Sequence, residues 1–153
     1  MSVEETLNTY DLFDNAIVRH GFTAYMRDYE IVAELFYGEH RGVFTYLFRG
    51  CVEAHYESSI PGGAFSMDDV LLDLERGQPE GGPDVFMWGV NHANAYPGWT
   101  YDAGSERTAA WSKKTGLPMH EVVIETNVYK LSLVFYSLVV EKGGAIGAGM
   151  RGK

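Results

Sequence analysis

From Asp28 to Ser58 the chain alternates apolar and polar side chains with a period of two, the period of an extended strand and not of a helix. Tyr29, Ile31, Ala33 and Leu35 fall on one face of a strand over 28–37, with Asp28, Glu30 and Glu34 on the other. Gly38 and Gly42 bracket the charged connection of a hairpin. A second strand over 43–58 carries Phe44, Tyr46, Phe48, Val52, Ala54 and Tyr56 at even positions. Its odd positions hold Thr45, Arg49, Cys51, Glu53, His55 and Glu57, and Gly50 marks a bulge. Beyond Pro118 come two further β-rich runs, 119–126 and 129–141, joined near Asn127 as a hairpin. Val122 and Ile124 oppose Glu121 and Glu125 in the first, and the second is apolar on both parities like a central strand. Residues 85–90 read as a further strand, without clear alternation.

Helical signals punctuate these strands. Ser2 with Glu5 has capping-box spacing, and Leu7, Tyr10, Phe13 and Ile17 recur every three or four residues, which predicts a helix over 3–19 stopped by Gly21. Ser66 with Asp69 opens a short helix whose apolar stripe is Met67, Val70, Leu71 and Leu74. Ser105 caps a helix running to Thr115 and closed by Gly116. The stretch 77–84 is rich in Gly and Pro and reads as loop. The expected architecture is α+β: a single domain over 1–142, a mostly antiparallel sheet with about three helices packed on one face, and a glycine-rich disordered tail over 143–153.

Charge and cysteine content exclude several classes. Twelve Lys and Arg against 21 Asp and Glu leave a net charge of −9, which disfavours nucleic acid and anionic membranes as partners and points toward a cationic partner, such as a basic protein, or none. Cys51 is the single cysteine, so no intrachain disulfide forms and a multi-cysteine zinc domain is excluded. The acidic start of the sequence is unlike a signal peptide, and no stretch has the length of a membrane span, so the expected location is cytoplasmic.

The segments HGFTAYMRDYEI (20–31), CVEAH (51–55), SMDD (66–69), WGVNHANAYPGW (88–99), HEVVIETN (120–127) and LVFYSLVVE (133–141) occur in an order that resembles the bacterial YxiG-like domain family. The resemblance spans about residues 13–141. It implies a small bacterial cytosolic protein, some of whose relatives sit among contact-dependent toxin and immunity genes, and it carries over no catalytic residue or cofactor.

Four groups of residues carry chemistry. If the parities hold, Glu30, Glu34, Glu53, Glu57, Glu121 and Glu125 lie opposite the apolar sheet face, offset there by Arg49 and His55, and form either a partner-binding surface or a solvated face. The loop Asn91, His92, Asn94, Tyr96 and Trp99 offers aromatic rings beside amide donors and acceptors, suited to recognition or to plugging the core. Cys51, Glu53 and His55 alternate on one strand and with Glu121 have the donor types of a mixed zinc site, although a lone cysteine is more simply a core residue. His20, His92 and His120 pair in principle with Asp28 or Glu121 as general base and orienting group. Arg27 with Asp28 is read as a local ion pair, while His20 suits a helix end and His40 a charged turn.

GxSxG, HExxH, CxxC and phosphate-binding glycine loops are absent from the sequence. The expected function is therefore that of a non-catalytic, immunity-type interaction protein without a cofactor, binding a basic protein. The alternative is a small-ligand-binding or metal-dependent enzyme using the Glu53/His55 strand and the 91–99 loop. A third reading is a self-associating homo-oligomer.

Overall fold

The structure is a computed structural model that describes residues 1–59 and 93–144. Its elements are α1 (Val3–Thr9), β1 (Ala16–Phe22), β2 (Tyr29–Leu35), β3 (Gly42–Arg49), β4 (Glu53–Ser58), β5 (Ala93–Asn94), β6 (Gly98–Asp102), α2 (Glu106–Thr115), β7 (His120–Glu125), β8 (Tyr129–Phe135) and β9 (Ser137–Lys142). The strands form two antiparallel sheets, ordered β5-β1-β2-β3-β9 and β4-β8-β7-β6. The expected helix over 66–74, loop over 77–84 and strand over 85–90 lie outside the described residues, as does the tail beyond Gly144.

The alternation read from the sequence survives as the core. Tyr29, Ile31, Ala33, Phe44, Tyr46 and Phe48 from the five-stranded sheet meet Val122, Ile124, Leu131, Leu133 and Phe135 from the four-stranded one, all buried in one cluster. Phe48 and Phe135 meet edge to face at 4.9 Å across the two sheets. The fold is α+β with mostly antiparallel pairing, but it has two sheets, and two helices among the described residues instead of about three. These two do not share a face: α1 packs near β9 and α2 near β7, which belong to different sheets. No helix among the described residues is long and apolar enough to cross a membrane.

Two sequence readings are corrected. The first helix ends at Thr9, not near residue 19, because the chain offers its backbone better partners than a further helical turn. Asp11 accepts the Phe13 N–H at 3.0 Å, buried Asn15 donates to the carbonyls of Asp11 and Phe13, and Asp14 enters the left-handed region at φ 58°. Ile17 and Val18, β-branched and disfavoured in helices, then join β1, where Ile17 pairs with Ala33. His20 and Gly21 accordingly lie within β1 and not at a helix end.

The second correction concerns the runs 43–58 and 129–141, each read as one strand. Each breaks once and passes from one sheet to the other, at Gly50–Val52 and at Tyr136. The two breaks face each other. Tyr136 N–H donates to the Arg49 carbonyl at 2.9 Å and Val52 N–H to the Val134 carbonyl at 2.8 Å, so the pairing bends as a ribbon without losing its backbone bonds. Gly50 takes φ 62° at this corner, and a Cβ there would lie 3.1 Å from Tyr136 Cβ.

Gly50→Ala is therefore expected to cost about 1–3 kcal/mol, from left-handed strain plus the collision with Tyr136. Gly38→Ala, also at positive φ but with open space around the added Cβ, is expected to cost less. Urea unfolding of the two variants beside wild type checks the order; equal losses would show that the corner contact carries no strain.

Candidate functional site

A groove of about 400 Å³ lies between the segment following α1 and the tip of the β2–β3 hairpin. It is organised by Asn15, which is almost wholly buried. Its side-chain oxygen accepts the Phe36 N–H at 2.7 Å, and its amide holds the Asp11 and Phe13 carbonyls, so one side chain pins the turn 11–15 to the end of β2. The segment 94–99 is stitched to the same turn. Asp14 N–H donates to the Ala95 carbonyl at 2.6 Å and Ala95 N–H to the Asn15 carbonyl at 2.8 Å. Asn94 Nδ2 donates to Asp14 Oδ1 at 3.1 Å, and Trp99 Nε1 to Asp11 Oδ1 at 3.0 Å.

The surface of this region combines carboxylates with exposed rings. Asp11, Asp14 and Glu39 line the groove with His40, and no Lys or Arg is among the described residues lining it. Phe13 and Tyr96 sit ring to ring at 5.6 Å beside it with Tyr96 60% exposed, and Tyr37 on its wall is 59% exposed. His40 packs against Tyr10 at 4.5 Å between ring centroids. Asn94, Tyr96 and Trp99 of the loop singled out in the sequence thus meet at one place, while Asn91 and His92 lie outside the described residues. Sequence reasoning missed Asp11, Asp14 and Asn15, whose signal was the Asx-rich run DLFDN inside an apparent helical stripe.

The six strand glutamates do not share one face. Glu30 and Glu34 stand on β2 in the five-stranded sheet, the other four on β4 and β7 in the four-stranded sheet. Nor are they all free. Arg19 holds buried Glu30 at 2.8 Å, and Arg107 of α2 reaches Glu53 on β4 and Glu121 on β7, each at 2.8 Å, with the hydroxyl of Ser132 on β8 at 2.9 Å. Trp111, one turn further along α2, donates its indole N–H to the second oxygen of Glu53. These donors, the indole first, hold the Glu53 carboxyl below its ordinary value. The register then places Lys130 between Glu57 and Glu125. Alternation could not reveal this arrangement, because the neutralising arginine comes from a helix remote in sequence.

Cys51, Glu53 and His55 also part company. The corner at Gly50–Val52 breaks the parity, so Cys51 enters the core, where burial pushes its thiol up to about 12, while Glu53 and His55 remain on the outer face 3.0 Å apart. No group of three His, Cys, Asp or Glu suited to a metal occurs among the described residues.

His20 and His120 do not meet a carboxylate as the general-base reading required. His20 Nδ1 lies 2.6 Å from Tyr29 Oη among Tyr56 and Tyr129, and His120 Nδ1 lies 2.7 Å from Tyr101 Oη. Burial lowers the pKa of both imidazoles, and it raises the Tyr29 hydroxyl to about 12. Arg27 and Asp28 form no ion pair with each other; Asp28 Oδ1 instead accepts the Gly50 N–H at 3.0 Å.

Geometry and pairing define a two-sheet antiparallel α+β protein with an acidic, aromatic-edged groove at one hairpin tip. Residues 2–146 match the YxiG-like protein family, nearly the whole chain, and the chain belongs to that family. No curated protein matches it.

Arg107→Met is expected to cost about 2 kcal/mol, between the values for exposed and buried pairs, because it strands Glu121 among low-dielectric neighbours. Adding Glu121→Gln is expected to restore part of that loss, and simple additivity in urea unfolding would show the pair to be uncoupled.

The histidines set a pH window. Their folded pKa values lie below the ordinary 6.5, so the unfolded chain binds protons first and stability falls as pH drops from 6.5 toward the folded values. Comparing urea midpoints at about pH 7.5 and about pH 5.5, His20→Gln/His120→Gln is expected to lose less than wild type. The Glu53 contribution disappears only below its ordinary 4.5, outside that window.

Proposed function

We propose that the chain is a non-catalytic interaction protein of the immunity type, acting in the bacterial cytoplasm and binding a basic protein partner at the groove between the 11–15 turn and the β2–β3 hairpin. The observation that carries this reading is three carboxylates, Asp11, Asp14 and Glu39, lining a groove edged by exposed Phe13, Tyr37 and Tyr96. Aromatic anchors beside unneutralised charge suit a partner that presents Lys or Arg among apolar side chains. Glu34, immediately before Leu35 of the groove wall, adds a carboxylate at the same end of β2 and is itself exposed. The remaining strand glutamates contribute a background field that speeds approach, with Glu57 the exposed one among them. A partner with a cationic working surface, such as a nuclease with a basic substrate cleft, fits this charge and is blocked by its occupation.

Affinity capture from native lysate tests the reading, with captured proteins identified by mass spectrometry. Wild type is expected to retain a basic protein at low salt and release it in 1 M NaCl, where the Debye length falls to about 3 Å. Asp14→Asn/Glu39→Lys is expected to weaken the purified pair at least tenfold, about 1.4 kcal/mol. Undiminished binding by that variant, or capture that persists in 1 M NaCl, would overturn the groove as the interface.

A further inference from the structure

The opposite end of the β2–β3 ladder has the contrary charge. A cleft of about 640 Å³ there is lined by Tyr25, Arg27, Asp28, Arg49, Tyr136 and Ser137, with Gly50 in its wall. Its walls are tethered to one another. The β1–β2 turn closes through the Thr23 N–H to Asp28 carbonyl bond at 2.8 Å, and Met26 reverses the chain at φ 57°. The Arg27 carbonyl then accepts Cys51 N–H at 2.9 Å, Asp28 Oδ1 accepts Gly50 N–H at 3.0 Å, and the Arg49 carbonyl accepts Tyr136 N–H at 2.9 Å. The turn and both sheet-crossing corners are thereby locked around the cleft, so the space is preformed.

We propose that this cleft binds a small organic phosphate, its oxyanion held by Arg27 and Arg49 and its organic body lying against Tyr25 and Tyr136. Arg27 and Arg49 both line the cleft in a chain of net charge −9, and neither is in an ion pair among the described residues, whereas Arg19 and Arg107 each hold carboxylates at 2.8 Å. Among the described residues of the lining Asp28 is the one carboxylate, set against two arginines, and its Oδ1 already accepts the Gly50 N–H. Guanidinium forks match phosphate oxygens, and the Ser137 hydroxyl supplies a further donor at the same wall. The volume lies within the range of small-molecule sites and far exceeds an inorganic phosphate, which leaves room for an organic body. Tyr25, 83% exposed, is free to close over a ring.

Isothermal titration with adenosine 5′-monophosphate, ribose 5-phosphate, adenosine, inorganic phosphate and a phosphoserine peptide tests the proposal on the full chain. Adenosine 5′-monophosphate or ribose 5-phosphate is expected to saturate a single site, with adenosine at least tenfold weaker. Arg27→Gln and Arg49→Gln are each expected to weaken that binding at least tenfold while leaving the thermal midpoint of the free protein unchanged. Glu39→Lys in the acidic groove is expected to leave it unaltered, which separates this site from the partner groove. Absence of saturable binding by both organic phosphates at millimolar concentration, equal affinity in the two arginine variants, or binding of the phosphopeptide alone would overturn the proposal.

Discussion

Everything in this fold depends on two strand pairs crossing between sheets without losing their backbone pairing. The β3–β9 and β4–β8 ladders are the two halves of one bent ribbon, and its bend is held by the Tyr136 N–H to Arg49 carbonyl bond and the Val52 N–H to Val134 carbonyl bond. Were either corner opened, the ribbon would lose a backbone bond that ties its two halves. Bending is what turns one apolar stripe toward another, so that Phe48 from one half and Phe135 from the other meet in the core. A glycine at position 50 is the local condition for it, since a side chain at φ 62° would press on Tyr136.

The second organising effect is the allocation of scarce cations in an acidic chain. Arg107 crosses from α2 to three strands at once, neutralising Glu53 and Glu121 where they are partly buried and where an unpaired charge would be most expensive. Arg19 does the same for Glu30. At the hairpin tip Asp11, Asp14 and Glu39 line a groove with no described Lys or Arg in its lining, the nearby Arg41 donating instead to the Gly38 carbonyl at 3.2 Å. Carboxylates without an ion pair among the described residues therefore include a group in a loop region pinned by Asn15, which an alternating pattern does not pick out.

That contrast shows what the sequence revealed and what it could not. Period-two alternation identified β2, β3, β4 and β7, because alternation is a local consequence of the pleat, but it missed β1, β5 and β6. Ser105 and Gly116 bounded α2 for an equally local reason, as cap and left-handed terminator. Corners and pairings between distant segments were illegible. A strand that changes sheets keeps its composition, so 43–58 and 129–141 read as single strands, and Gly50 was the one visible trace. Likewise the stripe Leu7, Tyr10, Phe13, Ile17 mimicked a helix although backbone capture by Asp11 and Asn15 ends it at Thr9. The run holding Asn94, Tyr96 and Trp99 read as a loop, whereas Asn94 and Trp99 stand in β5 and β6, and their partners Asp11, Asp14 and Phe13 sit some eighty residues earlier in the chain.

The β2–β3 ladder links these observations. Seven paired positions, from Tyr29 with Phe48 to Leu35 with Gly42, make it a rigid spacer of roughly 20 Å. One end carries the acidic groove, the other the arginine-lined cleft at the corners. The walls of both are loops and turns fixed by specific backbone bonds to the same two strands, which is how a stable sheet positions chemically varied connections without itself changing. The described residues lining the two ends thus differ in the sign of their charge.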